Sequence, residues 1–152
     1  MWRKSVPRAA RWLALRLVAV VVPLVILCAP ILAAPLEAWI DKSEQAMTVY
    51  IDHRPAFRWP VSTGRAGKET PNGSYTPQSL KRMHYSTLYH NAPMPFSIFF
   101  SGDYAIHGTT ETEKLGAPAS AGCIRLHPVH ARILFELTRD SGLDQTLIVV
   151  HD

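Results

Sequence analysis

The sequence predicts a mainly β domain with a single helix near its C-terminal end, preceded by a separate apolar segment over residues 1–36. Three observations lead there. Short runs rich in β-branched and aromatic residues recur between Gly- and Pro-containing turns from Gln45 onward. One stretch, after Pro128, carries apolar residues at helical spacing. Leu17 to Leu36 form 20 consecutive positions without a charge.

The apolar segment follows Arg3, Lys4, Arg8, Arg11 and Arg16, five of the 16 basic residues. Basic residues before a long apolar run are the pattern of an export signal or signal anchor, and at about 1.5 Å per residue such a run reaches ~30 Å, enough to span a bilayer core. Pro23 and Pro30 disrupt a membrane segment less than a soluble helix. Ala33, Ala34 and Ala38 offer small residues for cleavage without a clean A-x-A pattern. Cys28 follows Leu27 rather than a small residue, which argues against a lipid anchor, and no twin-arginine pair occurs. Residues 37–152 are therefore expected to work as one domain outside the cytoplasm, on the periplasmic or cell-wall side, either released or anchored to the inner membrane. They hold all 12 acidic residues against 11 basic ones, a net charge of −1, so nucleic acid finds no basic excess to bind.

Within that domain, Gln45 to Asp52 reads as a strand, with Met47, Val49 and Ile51 alternating with polar positions. His53-Arg54-Pro55 is a turn and Ala56 to Ser62 the returning strand of a hairpin. Thr63 to Gly73 is a long polar loop rich in Gly and Pro. Short strands are expected at Ser74–Pro77, His84–Leu88, Ser97–Ser101 and Tyr104–His107, with Asn91 to Pro95 as an interrupting loop. Pro128 suits a first helical position, Val129, Ile133, Leu134 and Leu137 mark an apolar face, and Gly142 supplies the stop. Thr146 to Val150 closes the chain as a buried strand.

The chemistry concentrates between Tyr104 and Leu126. An apolar strand delivers His107 to its end beside Gly108, and sixteen residues later Ser120-Ala121-Gly122-Cys123 presents a cysteine just before the helix. The chain has two cysteines, and Cys28 lies in the apolar segment, so an exported domain holds Cys123 without an intramolecular partner. Acyl transfer by a cysteine needs a thiolate, a base for its proton and donors for the oxyanion. His107 is a candidate base. Gly122 lets the backbone approach closely, so its N–H and that of Cys123 are candidate oxyanion donors. Arg125 and the nearby helix N-terminus favour a thiolate. A cysteine and a distant histidine alone are weak evidence; an oxidoreductase is disfavoured, since no C-x-x-C pair exists.

His107-Gly108, the gap, and Ser120-x-Gly122-Cys123-Ile124-Arg125 resemble the signature of the L,D-transpeptidase catalytic (YkuD) domain family. Met47-Thr48-Val49-Tyr50, Trp59 to Gly64, Thr70-Pro71-x-Gly73 and Asn91 to Pro95 resemble further family segments in the same order. The resemblance implies a β-sandwich with the catalytic turn at one end, Cys123 as acyl-accepting nucleophile, His107 as its base, and no metal or other cofactor. Ser120, Gly122, Gly108 and Arg125 are placed as support around the oxyanion. The implied substrates are peptidoglycan stem tetrapeptides: the cysteine forms a thioester and expels the terminal D-alanine, and an amine from a neighbouring stem or an attached protein's lysine resolves it. Resolution by water, giving an L,D-carboxypeptidase or hydrolase, and a non-catalytic wall-binding module are the alternatives. The family often has a second histidine directly before Gly-Cys; this chain has Ala121.

The remaining candidates are expected as follows. Tyr85, Tyr89 and the loop with Asn91 and Met94 line a substrate groove. His127 and His130 lack a third ligand at convincing spacing for zinc, so His127 is a helix-start residue and His130 a surface one. Arg65 and Lys68 are solvated loop charges, and Glu111 and Glu113 belong to a solvated lid.

Overall fold

The structure, a computed structural model, describes residues 35–152. Residues 1–34, which hold most of the expected export segment and Cys28, lie outside the described residues. Nine strands and one α-helix follow in the order β1 (Leu36–Asp41), β2 (Ala46–Ile51), β3 (Arg54–Pro60), β4 (Gly73–Tyr75), β5 (Ser79–Tyr85), β6 (Pro93–Ser101), β7 (Tyr104–Gly108), β8 (Ile124–Leu126), α1 (Pro128–Ser141) and β9 (Thr146–His151). They form a five-stranded sheet in the order β3-β2-β1-β9-β4 and a four-stranded sheet in the order β5-β6-β7-β8.

The core arises from simple alternation. Leu36, Ala38 and Ile40 of β1, Met47 and Val49 of β2, and Ile148 and Val150 of β9 face inward, each 2% exposed or less. Ile98, Phe100, Ile106, Ile124 and Leu126 of the second sheet join the same cluster. Each fully buried Leu or Ile contributes roughly 2 kcal/mol relative to exposure. The helix starts and stops where Pro128 and Gly142 predicted, with Gly142 at φ +97° as cap. It packs against β6 and β7.

Several expectations are corrected. β1 and β8 had no counterpart in the sequence reading; both pair in parallel, β1 with β9 and β8 with β7. Arg54 and Pro55 belong to β3, leaving Asp52 and His53 as the turn, both at positive φ. β5 ends at Tyr85 and begins at Ser79 rather than running from His84 to Leu88. Pro93 to Pro95 belong to β6 rather than to a loop. The two prolines are tolerated because β6 pairs there with β5, while its pairing with β7 begins only at Ile98. On α1, Val129 is 51% exposed, and the inward face is Ala131, Leu134, Phe135 and Thr138, with Ile133 and Leu137 half-buried at its flank.

Candidate active site

The parallel pairing of β7 with β8 builds the site. Ile106 faces Ile124 in register, and both enter the core. The intervening pair, His107 opposite Arg125, therefore projects from the other face, and Cys123, two residues before Arg125, stands at the head of that face. His107, Cys123 and Arg125 line one cavity of about 280 Å³. Two strands adjacent in space thus join residues separated by sixteen positions in the chain.

The cysteine turn is held from beneath by the loop after β3. Ser120 N–H donates to Thr63 O at 3.0 Å, and the Arg65 N–H and guanidinium both donate to Ser120 O, at 3.0 and 3.1 Å. Ser62 and Arg125 exchange backbone hydrogen bonds of 3.1 and 2.9 Å. Thr70 Oγ1 donates to Gly122 O at 2.8 Å and accepts from Gly64 N–H at 2.9 Å. Inside the turn, Ser120 Oγ donates to Cys123 O at 2.5 Å and accepts the Gly122 N–H at 3.1 Å. Gly122 sits at φ +119°, and a Cβ there would lie 2.7 Å from Tyr104 Cε1, so only glycine fits. Gly108 is also confined, with Pro128 Cα and Pro95 Cγ each 3.1 Å from where a Cβ would stand.

These bonds revise the expected oxyanion pair. The Gly122 N–H is committed to Ser120 Oγ. The Cys123 N–H has no acceptor among the described residues, which leaves it free to meet a ligand oxygen.

The electrostatics also differ from expectation. Burial pushes the Cys123 thiol up, outweighing the Ala105 N–H and the Arg125 charge that favour a thiolate, while Asp103 adds to the upward shift. Arg125 is itself engaged, 2.6 Å from Glu111, whose other oxygen meets Lys114. Glu111 is accordingly a partner of Arg125 at the cavity and not simply a solvated lid charge. Along the chain, β8 and the capping residue His127 separate Cys123 from the first turn of α1. The sulfur donates to Asp103 O at 3.6 Å and makes no hydrogen bond to His107. His107 is buried, and burial depresses its pKa from 6.5 to about 4, more strongly than its bond to Gly108 opposes. Its Nδ1 lies 2.8 Å from Gly108 O. A carbonyl only accepts, so Nδ1 carries the hydrogen and Nε2 the free lone pair. Both shifts favour the uncharged forms of the thiol and the imidazole that line this cavity.

Of the expected groove residues, Tyr89 and Met94 line the cavity, while Tyr85 and Asn91 do not; Asn91 sits in a tight turn at φ +57°. Arg65 lines the cavity while bonding Ser120. Lys68 lines a second, adjoining cavity of about 660 Å³. Leu88, Tyr89, Asp103, Ala121 and Cys123 are common to both cavities. His127 caps α1 by accepting the Val129 N–H at 3.3 Å. His130 is half-buried rather than free on the surface: its ring lies flat on Trp59, centroids 4.9 Å apart. The sequence reading missed Asp103, Leu88, Thr109 and the clamp residue Thr70. Thr70-Pro71-x-Gly73 stands out in the sequence as a segment resembling the family but carries no sign of the clamp, and nothing local marks the others.

Three comparisons with known proteins bear on this site. A model of the YkuD family, the L,D-transpeptidase catalytic domain, matches residues 35–150. A Bacillus subtilis (strain 168) protein named for the same family, L,D-transpeptidase YkuD, is 25% identical over 97 residues, covering 61% of this chain and 54% of that one. An L,D-transpeptidase from Mycobacterium smegmatis superposes with a TM-score of 0.71 at 20% identity, over 78% of this chain and 59% of that chain. The L,D-transpeptidase LdtMt1, solved in complex with imipenem, gives 0.69 at 21% identity, over 78% and 59%. The chain thus spans little more than half the length of these relatives.

Proposed function

The chain belongs to the L,D-transpeptidase catalytic domain family, and on that footing we propose that it is a cysteine L,D-transpeptidase acting on peptidoglycan stem tetrapeptides outside the cytoplasm. The observation that carries the reading is the β7–β8 register, which sets His107 and Cys123 on one face at one cavity.

The protonation states assign the steps. With both groups neutral at rest, no thiolate–imidazolium pair stands ready, so the proton moves as the bond forms. Sulfur attacks the carbonyl of the L-centre as its proton passes to His107 Nε2. The developing oxyanion takes the Cys123 N–H. The imidazolium then protonates the departing amine of D-alanine, leaving a thioester and a neutral His107. In the second half, an amine adds to the thioester carbonyl, its surplus proton goes to Nε2, and the C–S bond breaks as that proton returns to sulfur. Gly108 O holds the tautomer throughout. With alanine at position 121 the cysteine turn supplies no imidazole of its own, and His107, on the strand paired with β8, serves both halves.

The test is incubation of residues 35–152 with disaccharide-tetrapeptide, products resolved by mass spectrometry, beside Cys123→Ala. Dimers lacking one D-alanine are expected from the natural sequence, reduced about a thousandfold or more in the variant. Tripeptide alone would replace transfer with hydrolysis as the activity. No cysteine-dependent product from a folded domain would overturn the reading.

A further inference from the structure

The resolving amine presents a problem that the cysteine and histidine do not address. An amine of this type is an ammonium at neutral pH, since its ordinary pKa is about 10. It must be drawn to the thioester as a cation, in competition with water. The positive charges at the first cavity, Arg65 and Arg125, are unsuited to this, and His107 is buried, which disfavours its charged form.

We propose that Asp103 binds the ammonium of the acyl acceptor, making it the residue that favours amines over water at the thioester. The inference rests on the transpeptidase reading above. Cys123 stands where the two cavities meet, and of the five residues lining both, Asp103 alone is charged. The Gly102-Asp103 turn joining β6 and β7 brings it there, and the Asp103 carbonyl accepts the sulfur's hydrogen bond at 3.6 Å, which ties this turn to the nucleophile. Its carboxylate is exposed and has no hydrogen bond or ion pair among the described residues, whereas Glu111 is spent on Arg125 and Lys114, and Glu69, on the rim of the second cavity, accepts the Gly67 N–H at 2.7 Å. The alanine at position 121, also shared by both cavities, leaves room beside it for an incoming amine.

The chemistry balances without a further reactant. The ammonium held at Asp103 releases one proton to solvent as it moves onto the thioester. The neutral amine then forms the C–N bond, its second proton passes to His107 Nε2, and the C–S bond breaks with return of that proton to sulfur. Asp103 supplies charge and position, not a net proton.

The experiment compares the natural sequence with Asp103→Asn, which preserves the turn and its backbone carbonyl. Acylation by imipenem, followed by mass spectrometry, reads the first half-reaction and serves as the internal reference. The thioester formed from tetrapeptide is then resolved with increasing stem-peptide amine or with hydroxylamine, a nucleophile uncharged at neutral pH. The expected result is that the variant needs about fivefold more stem amine for half-maximal dimer formation, the size of one partly exposed charge contact. Its share of hydrolysed tripeptide rises, and its hydroxylamine dependence shifts no more than its acylation does. Equal shifts with both nucleophiles, or none with the stem amine, would overturn the role of Asp103. A loss of acylation equal to the loss of transfer would do the same, by placing the effect on the first half-reaction or on folding. Failure of the natural sequence to be acylated by either donor would instead remove the transpeptidase reading, and this inference with it.

Discussion

The two walls of the cavity are built differently. The wall that carries Cys123 is fastened to a distant part of the chain: Ser62, Thr63, Arg65 and Thr70 bind the 117–125 segment through a set of buried or half-buried hydrogen bonds. The opposite wall, residues 86–92, is fastened within itself. Ser86 N–H reaches Ala92 O at 3.0 Å, and Ser86 Oγ accepts the amides of Leu88 and Tyr89, with no hydrogen bond leaving the segment among the described residues. Leu88 is 65% exposed there, whereas Ser120 is 1% exposed on the other side. The difference teaches a division of labour. A nucleophile must be held to a fraction of an ångström, which buried polar bonds achieve because leaving any of them unmade is costly. A wall that takes up the substrate proposed above needs surface more than fixity.

The strongest way to break the fastened wall is Gly64→Ala. A Cβ at that position would lie 2.0 Å from Lys68 O and 2.7 Å from Thr70 N, both backbone atoms that cannot step aside. We expect a loss of about 4 kcal/mol or more, or failure to fold, measured as the urea midpoint at constant slope. A loss below about 1 kcal/mol would show that the clamp is not what holds the turn.

The second prediction uses the buried imidazole of the same wall. With His107 at about 4 in the folded state against 6.5 for the free group, the unfolded chain takes up the proton first as pH falls. Its contribution to stability is therefore full above about 6.5 and is lost as pH falls through 4, by up to about 3 kcal/mol. Urea melts from pH 7.5 to 4 should show this slope, and His107→Gln should flatten it. An unchanged slope in that variant would assign the acid sensitivity to other groups. In the same sense, the acid limb of turnover should fall nearer pH 4 than 6.5.

The smallest effect is expected on the open wall. Leu88→Ala should change stability by no more than about 0.5 kcal/mol, while raising the donor KM about threefold through lost apolar contact. Thermal melts and steady-state kinetics separate the two. A stability loss approaching that of Gly64→Ala would erase the distinction between the walls.

The sequence by itself was sufficient wherever neighbours along the chain carry the signal. β2 alternates, β9 is a short β-branched apolar run, α1 has Pro128 at its start and Gly142 at its end, and Ser120 to Arg125 with His107 forms a motif specific enough to indicate the family. Only the tertiary structure decided the rest. β8 is three residues long and exists because β7 lies beside it, and β1 is bordered by β2 and β9 from opposite ends of the domain. The pairing of Arg125 with Glu111, the commitment of the Gly122 amide to Ser120, and the approach of Asp103 to the sulfur join residues that no local pattern connects. The protonation states belong to the same class. Arg125 in the motif favours a thiolate, whereas burial pushes the thiol up, because a residue's type sets its intrinsic acidity while the surrounding fold sets how far its charged form is stabilised.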